Sequence, residues 1–220
     1  MSGLAQQLRG GLKLHQGGDL EGAAAVYRQV LALRPDQPDA LHLLGEILRR
    51  DPAGVLVLMK PEPEHLEAAL RSRFRRTMGD VVERIHLVPR MPHPEYLNLV
   101  AVADVLLDPR PYDGGVTSYD GLSLGKPIVT FPTEYQRGRY VLGFYRKMEI
   151  LDCVTRSAEE YAELAPRLGT NQDFRRLMGE KILAASHVLF EDSEMVRQHE
   201  DFFERAIGAA RSAEPWDAGG

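Results

Sequence analysis

Apolar and polar residues along this chain follow two rhythms, and the change falls near residue 51. Before it the positions repeat: Gly11 and Gly45, Gln7 and Leu41, and Leu14 and Leu48 each stand 34 residues apart. Small Gly11 and Ala23 let two helices approach closely, and Tyr27, Val30 and Leu31 fill the seam between them. Pro35-Asp36-Gln37-Pro38 ends one helix and starts the next. The second copy breaks off where Val57 and Pro61 replace the small and aromatic residues the period asks for. Asp51-Pro52-Ala53-Gly54 reads as a turn, and the apolar run Val55 to Met59 predicts a strand covered on both faces.

From there strands and helices alternate. Helices are predicted over 63–78, with Leu66, Ala69, Leu70 and Phe74 inward, and over 94–103, with Leu97, Val100 and Ala101 inward. Further helices are predicted over 117–125, 138–147, 158–168, 171–189 and 193–210, and strands over 84–89, 104–108, 127–131 and 150–154. Ser157 and Glu160 have the spacing of a capping box. Residues 213–220 read as a frayed polar tail. Such alternation implies an α/β fold with a parallel sheet and right-handed crossovers, whose ligands bind beyond the carboxyl ends of the strands.

Composition narrows the chemistry. The 220 residues are 44% apolar, as in a globular protein, and the net charge of −5 comes from interspersed signs. No basic block exists to grip a polyphosphate backbone, so no nucleic-acid partner is expected, and Arg71, Arg73, Arg75 and Arg76 read as a solvated helix face. Cys153 is the only cysteine, so no internal disulfide or cysteine metal site can form, and its apolar neighbours predict burial. The seven histidines show no metal-ligand spacing. The N-terminus has no secretory pattern and no apolar run is long enough for a membrane, so a reducing cytoplasm and no membrane partner are expected.

The most informative stretch runs from Asp108 to Phe131. It reads as a strand end, a glycine loop, a helix opening and a second strand. Gly114 and Gly115 allow the backbone to approach a ligand without a Cβ in the way. Val116, Thr117 and Ser118 stand at the helix start, where free N–H groups and about half a positive charge favour an anion. Thr117 and Ser118 add hydroxyls, and Asp120 is placed for a sugar hydroxyl beside the phosphates. The other reading of the same residues is an ordinary helix cap after a turn.

The order Asp-Gly-Gly-x-Thr-Ser-x-Asp followed by Leu-x-x-Gly-x-Pro-Ile-Val-Thr-x-Pro resembles the nucleotide-binding core of the O-linked N-acetylglucosamine transferases. These are GT-B glycosyltransferases that carry tetratricopeptide repeats, and the 34-residue period above is that of such a repeat. The resemblance covers roughly residues 51–203. It implies a short all-α repeat over 1–50, one Rossmann-like GT-B lobe with a parallel sheet over 51–212, and a tail over 213–220. It implies UDP-GlcNAc as donor and a Ser or Thr hydroxyl of a polypeptide, brought by the repeat, as acceptor. Gly114, Gly115, Val116, Thr117 and Ser118 would hold the diphosphate, Asp120 the ribose, and Met91, His93 and Tyr96 the base. His93 also reads as an exposed loop residue between prolines. No metal is expected, because amides and a helix dipole can hold departing UDP.

Two departures stand out. The family's animal members have His and Thr where Gly115 and Val116 stand, which leaves backbone amides, Thr117 and Ser118 to bind phosphate. The family's N-terminal catalytic half, and a Gln and Lys segment that neutralises the diphosphate, have no counterpart here. The chain is therefore expected to be incomplete, through deletion, gene prediction or decay, and not to glycosylate peptides alone. The rival readings are a non-catalytic repeat and nucleotide-binding module, and a UDP-sugar transferase with a non-protein acceptor. The catalytic base is unassigned.

Overall fold

The structure, a computed structural model, describes residues 40–62 and 64–212, with isolated positions 10, 13, 14, 17, 19 and 22. Most of the expected repeat, and the tail from 213, lie outside the described residues. The elements are α1 (Ala40–Arg50), β1 (Leu56–Met59), α2 (Glu64–Met78), β2 (Ile85–Val88), α3 (His93–Val102), β3 (Leu106–Leu107) and α4 (Gly115–Ser123). They continue with β4 (Ile128–Val129), α5 (Tyr140–Lys147), α6 (Ala158–Thr170), α7 (Gln172–Ala185) and α8 (Ser193–Ser212).

Among the described residues all strand pairing is parallel, as the alternation demands. β1 pairs with β2, Leu56 opposite Ile85, and β3 pairs with β4, Leu106 opposite Ile128. The ladders are shorter than expected and form two separate two-stranded sheets among the described residues. The strand expected over 150–154 is reduced to a parallel bridge between Thr130 and Val154.

Two apolar cores hold these layers. The larger packs Leu122 of α4, Ile128 and Val129 of β4, Val141 and Tyr145 of α5, Leu168 of α6, and Met178 and Ile182 of α7. Cys153 is buried among them, as its neighbours predict. Tyr145 closes this core with its one polar atom, which accepts from Ile128 N–H at 2.9 Å and donates to Ile128 C=O at 3.0 Å. The smaller core joins Leu48 of α1, Phe74 and Met78 of α2, Val81 and Ile85.

Three packing expectations are corrected. β1 is covered on one face only: Leu56 and Leu58 pack on the smaller core, while Val57 is 41% and Met59 38% exposed. The reason is that the smaller core, built from Leu48 of α1 and Phe74 and Met78 of α2, lies on the Leu56 and Leu58 side of the strand. Along α2, Phe74 and Met78 are the anchors, while Leu66 and Ala69 face solvent. On α3, Val100 is buried and Ala101 is exposed.

α1 falls in the segment read as repeat, yet its apolar side enters the lobe. Leu43 joins the larger core and Leu48 the smaller. Arg84 fastens its end, donating to the carbonyls of Leu48, Asp51 and Gly54. Arg50 reaches Glu159 of α6 at 2.8 Å. Leu43→Ala should therefore cost about 2–5 kcal/mol, the usual range for a buried leucine. Leu66→Ala on α2 should change stability by less than about 0.5 kcal/mol. Urea unfolding of both variants tests this, and equal effects would place α1 outside the core.

Candidate functional site

The site begins with the end of β3. Asp108 N–H donates to Val129 C=O at 2.9 Å, which completes the ladder. The chain then leaves the sheet through Pro109 to Asp113 and enters α4 at Gly115. α4 thus starts two residues earlier than its sequence predicts, and Asp120 lies on its second turn, not its first.

Asp108 draws the loop back under the helix start. Its Oδ1 accepts from Gly114 N–H at 3.1 Å, and its Oδ2 accepts from the Thr130 hydroxyl at 2.7 Å. Asp113 Oδ2 accepts from Val141 N–H, at the start of α5, at 3.2 Å. Asp113 N–H donates to Arg137 C=O at 2.8 Å. A strap over 133–138 thereby crosses the loop, closed by Thr133 N–H to Gly138 C=O at 2.8 Å.

Gly115 has φ +41°, the left-handed region that disfavours a side chain, and a Cβ there would point into open space. A Cβ on Gly114 would crowd Ser118 Oγ at 2.8 Å and Thr117 Oγ1 at 3.0 Å. Thr117 Oγ1 donates to Gly114 C=O, so this hydroxyl closes the first turn. Ser118 is buried against the loop, and Val116 is exposed. A helix leaves its first amides without an intrahelical partner, so those of Gly115 and Val116 are the ones available to an anion. Beyond the end of α4, Gly125 at φ +68° turns the chain, and Gly125 and Lys126 N–H reach back to Leu122 and Gly121 C=O.

The second wall of the site is the start of α3, directly after β2. His93 is its first residue, behind Pro92. His93 Nε2 lies 3.3 Å from Asp120 Oδ2, so two residues singled out from separate motifs meet. Tyr96 stacks beside His93 with ring centroids 6.2 Å apart. Its phenol lies within hydrogen-bonding reach of Thr117, and burial raises its pKa, with the Asp120 charge adding to the effect. Met91 is half-buried just before this wall. The structure therefore gathers His93, Tyr96, Thr117 and Asp120 on one rim at the carboxyl ends of β2 and β3, beside Gly114, Gly115 and Val116.

Sequence reasoning missed Asp108 and Asp113 as parts of this site. Asp113 stands in the quoted motif, but nothing in the spacing shows that both carboxyls turn inward. Two surface hollows lie elsewhere: one of about 480 Å³ beside Gln198, Asp201, Glu204 and Arg205, and one of about 270 Å³ lined by Asp152, Glu160, Glu163 and Arg167 among others. Both are net acidic, which suits a diphosphate less well than the helix start does. Among the described residues no three His, Cys, Asp or Glu side chains gather as a metal site, and no helix is long and apolar enough to cross a membrane.

The strap supplies a stability test. A Cβ on Gly138 would stand 2.2 Å from Thr133 Oγ1 and 2.8 Å from Pro111 O, and neither can move without shifting the loop. Gly138→Ala should cost about 1–3 kcal/mol, as overpacking does. Gly143→Ala on α5, with no neighbour within 4 Å, should instead stabilise by roughly 0.5–1 kcal/mol. Thermal unfolding of the two alanine variants checks the sign of each.

Residues 14–197 match the family described as Glycosyl transferase family 41. The UDP-N-acetylglucosamine--peptide N-acetylglucosaminyltransferase of Giardia intestinalis is 27% identical over 154 residues, covering 68% of this chain and 10% of that protein. The enzyme of the same name from Caenorhabditis elegans is 28% identical over 182 residues, covering 82% of this chain and 16% of that protein. A solved mutant of the Thermobaculum terrenum O-GlcNAc transferase superposes with a TM-score of 0.65 at 26% identity. That match covers 75% of this chain and 32% of the solved one. The chain thus spans a third or less of each of these relatives. With a lobe of parallel strands and helices, a glycine loop opening α4 and a match over most of its length, this chain belongs to glycosyl transferase family 41.

Proposed function

We propose that this chain provides the donor grip of an N-acetylglucosaminyl transferase, with UDP-GlcNAc as donor and Ser or Thr hydroxyls of polypeptides as acceptors. The observation that carries the reading is the meeting of two helix starts, α3 and α4, through His93 and Asp120 at 3.3 Å. Both starts follow strand ends, where ligands of such sheets bind.

The geometry supports the following roles. The amides of Gly115 and Val116 face the diphosphate, and Gly114 lets the phosphates approach. Thr117 closes the turn and, with buried Ser118, keeps those amides aligned. Asp120 takes a ribose hydroxyl, for which it exchanges or shares His93. Met91, His93 and Tyr96 face the base, and the Tyr96 ring offers a surface to stack on. Departing UDP gains negative charge as the glycosidic bond breaks. Fixed amides and the helix dipole stabilise that charge without reorganising, which is the property that lowers a barrier. The polypeptide acceptor is supplied from the N-terminal segment, whose 34-residue spacing to Leu41, Gly45 and Leu48 of α1 is that of peptide-binding helical repeats.

UDP should bind more tightly than AMP or GMP, because the loop reads phosphate and the rim after β2 reads the base. Gly115→Val should weaken UDP at least tenfold, since a β-branched residue at φ +41° costs on the order of 1–3 kcal/mol and fills the approach to the amides. Calorimetry decides both points. Equal affinity for all nucleotides would remove the base reading, and unchanged UDP binding by the valine variant would remove the loop.

A further inference from the structure

Asp108 and Asp113 are 3% and 5% exposed and lie within hydrogen-bonding reach of each other, directly beneath the loop assigned to the diphosphate. Their neighbours donate few hydrogens. Asp108 receives Gly114 N–H and the Thr130 hydroxyl, and Asp113 receives Val141 N–H and lies near Tyr140 N–H. The charged and titratable groups facing them are Arg110 from the loop, Tyr145 from α5 and Tyr161 from α6. Tyr161 spends its hydroxyl on Asp108 C=O at 3.1 Å, and Tyr145 spends its own on Ile128. Arg110 is turned onto the Phe131 ring at 3.8 Å and donates to Phe131 C=O at 3.1 Å. One partly diverted cation does not neutralise two buried carboxylates, and two such groups in contact do not both ionise readily.

We propose that Asp108 and Asp113 share one proton, held on Asp108, and that this acid pair positions the glycine loop for a diphosphate. The inference rests on the reading of that loop as the UDP-sugar site. Burial, with the neighbouring Asp113 charge adding to it, pushes Asp108 up to about 7, and burial raises Asp113 as well. With the proton in place, the pair carries one charge and the loop stays drawn under α4. When the proton leaves, the two carboxylates repel each other and a second negative charge appears beneath the amides that face the diphosphate.

The sign is definite. A carboxyl raised above its unfolded value contributes stability that is full below about pH 4 and is lost as pH rises through about 7. Binding of a diphosphate should weaken over the upper part of the same range. UDP-GlcNAc is the probe, because its diphosphate is esterified at both ends and does not itself titrate there. Calorimetry from pH 6.0 to 8.5 should show affinity falling roughly tenfold. Asp108→Asn keeps an acceptor for Gly114 and a donor for Asp113, so it should hold the low-pH affinity across the range. Asp113→Asn removes only the smaller cause, the neighbouring charge, so its profile should keep a fall that is displaced to lower pH.

Melting temperatures against pH give a readout without ligand. The wild type should lose stability between about pH 4 and 7 relative to Asp108→Asn, and by a smaller amount relative to Asp113→Asn, whose displaced midpoint serves as the readout if Asp108→Asn does not fold. Binding with a flat wild-type profile, or variants that keep the wild-type slope, would overturn the shared proton while leaving the UDP site standing. No binding of UDP-GlcNAc at any pH would overturn the site and this inference together.

Discussion

Asp108 ties four parts of the lobe together. Its amide completes the β3–β4 ladder, its carboxyl holds Gly114 and Thr130, and its carbonyl receives Tyr161 of α6. Together these bonds fix the end of β4 and α6 relative to the first turn of α4. A buried carboxyl costs free energy unless its oxygens are satisfied, so this arrangement specifies one loop position among those a run of proline and glycine could take. Gly115 then turns through φ +41° at the start of α4, where a helix leaves its first amides without an intrahelical partner. The rim depends on this anchor, because Thr117, Ser118 and Asp120 are placed by α4 and α4 is placed by Asp108.

In the proposed function, that construction puts the recognition of a diphosphate on backbone dipoles. Two basic side chains near the loop are engaged otherwise: Arg110 lies over Phe131 and Arg137 lies 4.8 Å from the Tyr135 ring centre. Lys126, at the far end of α4, donates to Ala103 C=O at 2.9 Å. Others pair with acids on the surface, such as Arg49 with Asp80 and Lys181 with Asp152. Such exposed pairs add little to stability. An amide at a helix start is held rigidly and costs no side-chain entropy when it binds, which offsets part of the missing lysine charge. The charge beneath those amides then matters more than it would beside a lysine, and it is set by Asp108 and Asp113.

Local features of this site were legible in the sequence because they depend on neighbours along the chain. Gly114 and Gly115 before a helix, the strand ends on either side, and the Ser157 cap, seen as Glu160 N–H to Ser157 Oγ at 3.1 Å, are of this kind. Even there the reciprocal bond differs, since the Glu160 carboxylate takes Arg156 N–H. Features that depend on distant pairing were not legible. Val57 and Met59 read as buried because an apolar run does not reveal which of its faces meets a neighbour. α1 read as part of a repeat because its period matches one, while its contacts with α6 and α2 are set by tertiary packing. His93 and Asp120 lie 27 residues apart, and only the placement of α3 beside α4 brings them together.

The central claim is that the first amides of α4 are the groups that meet the diphosphate. Backbone amide resonances followed during titration with UDP, and separately with uridine, test it directly. The account predicts that Gly115 and Val116 shift strongly with UDP and little with uridine, while Met91 to Tyr96 respond to both. Shifts confined to other surfaces, such as the hollow beside Gln198 and Arg205, with Gly115 and Val116 unmoved at saturating UDP, would contradict it.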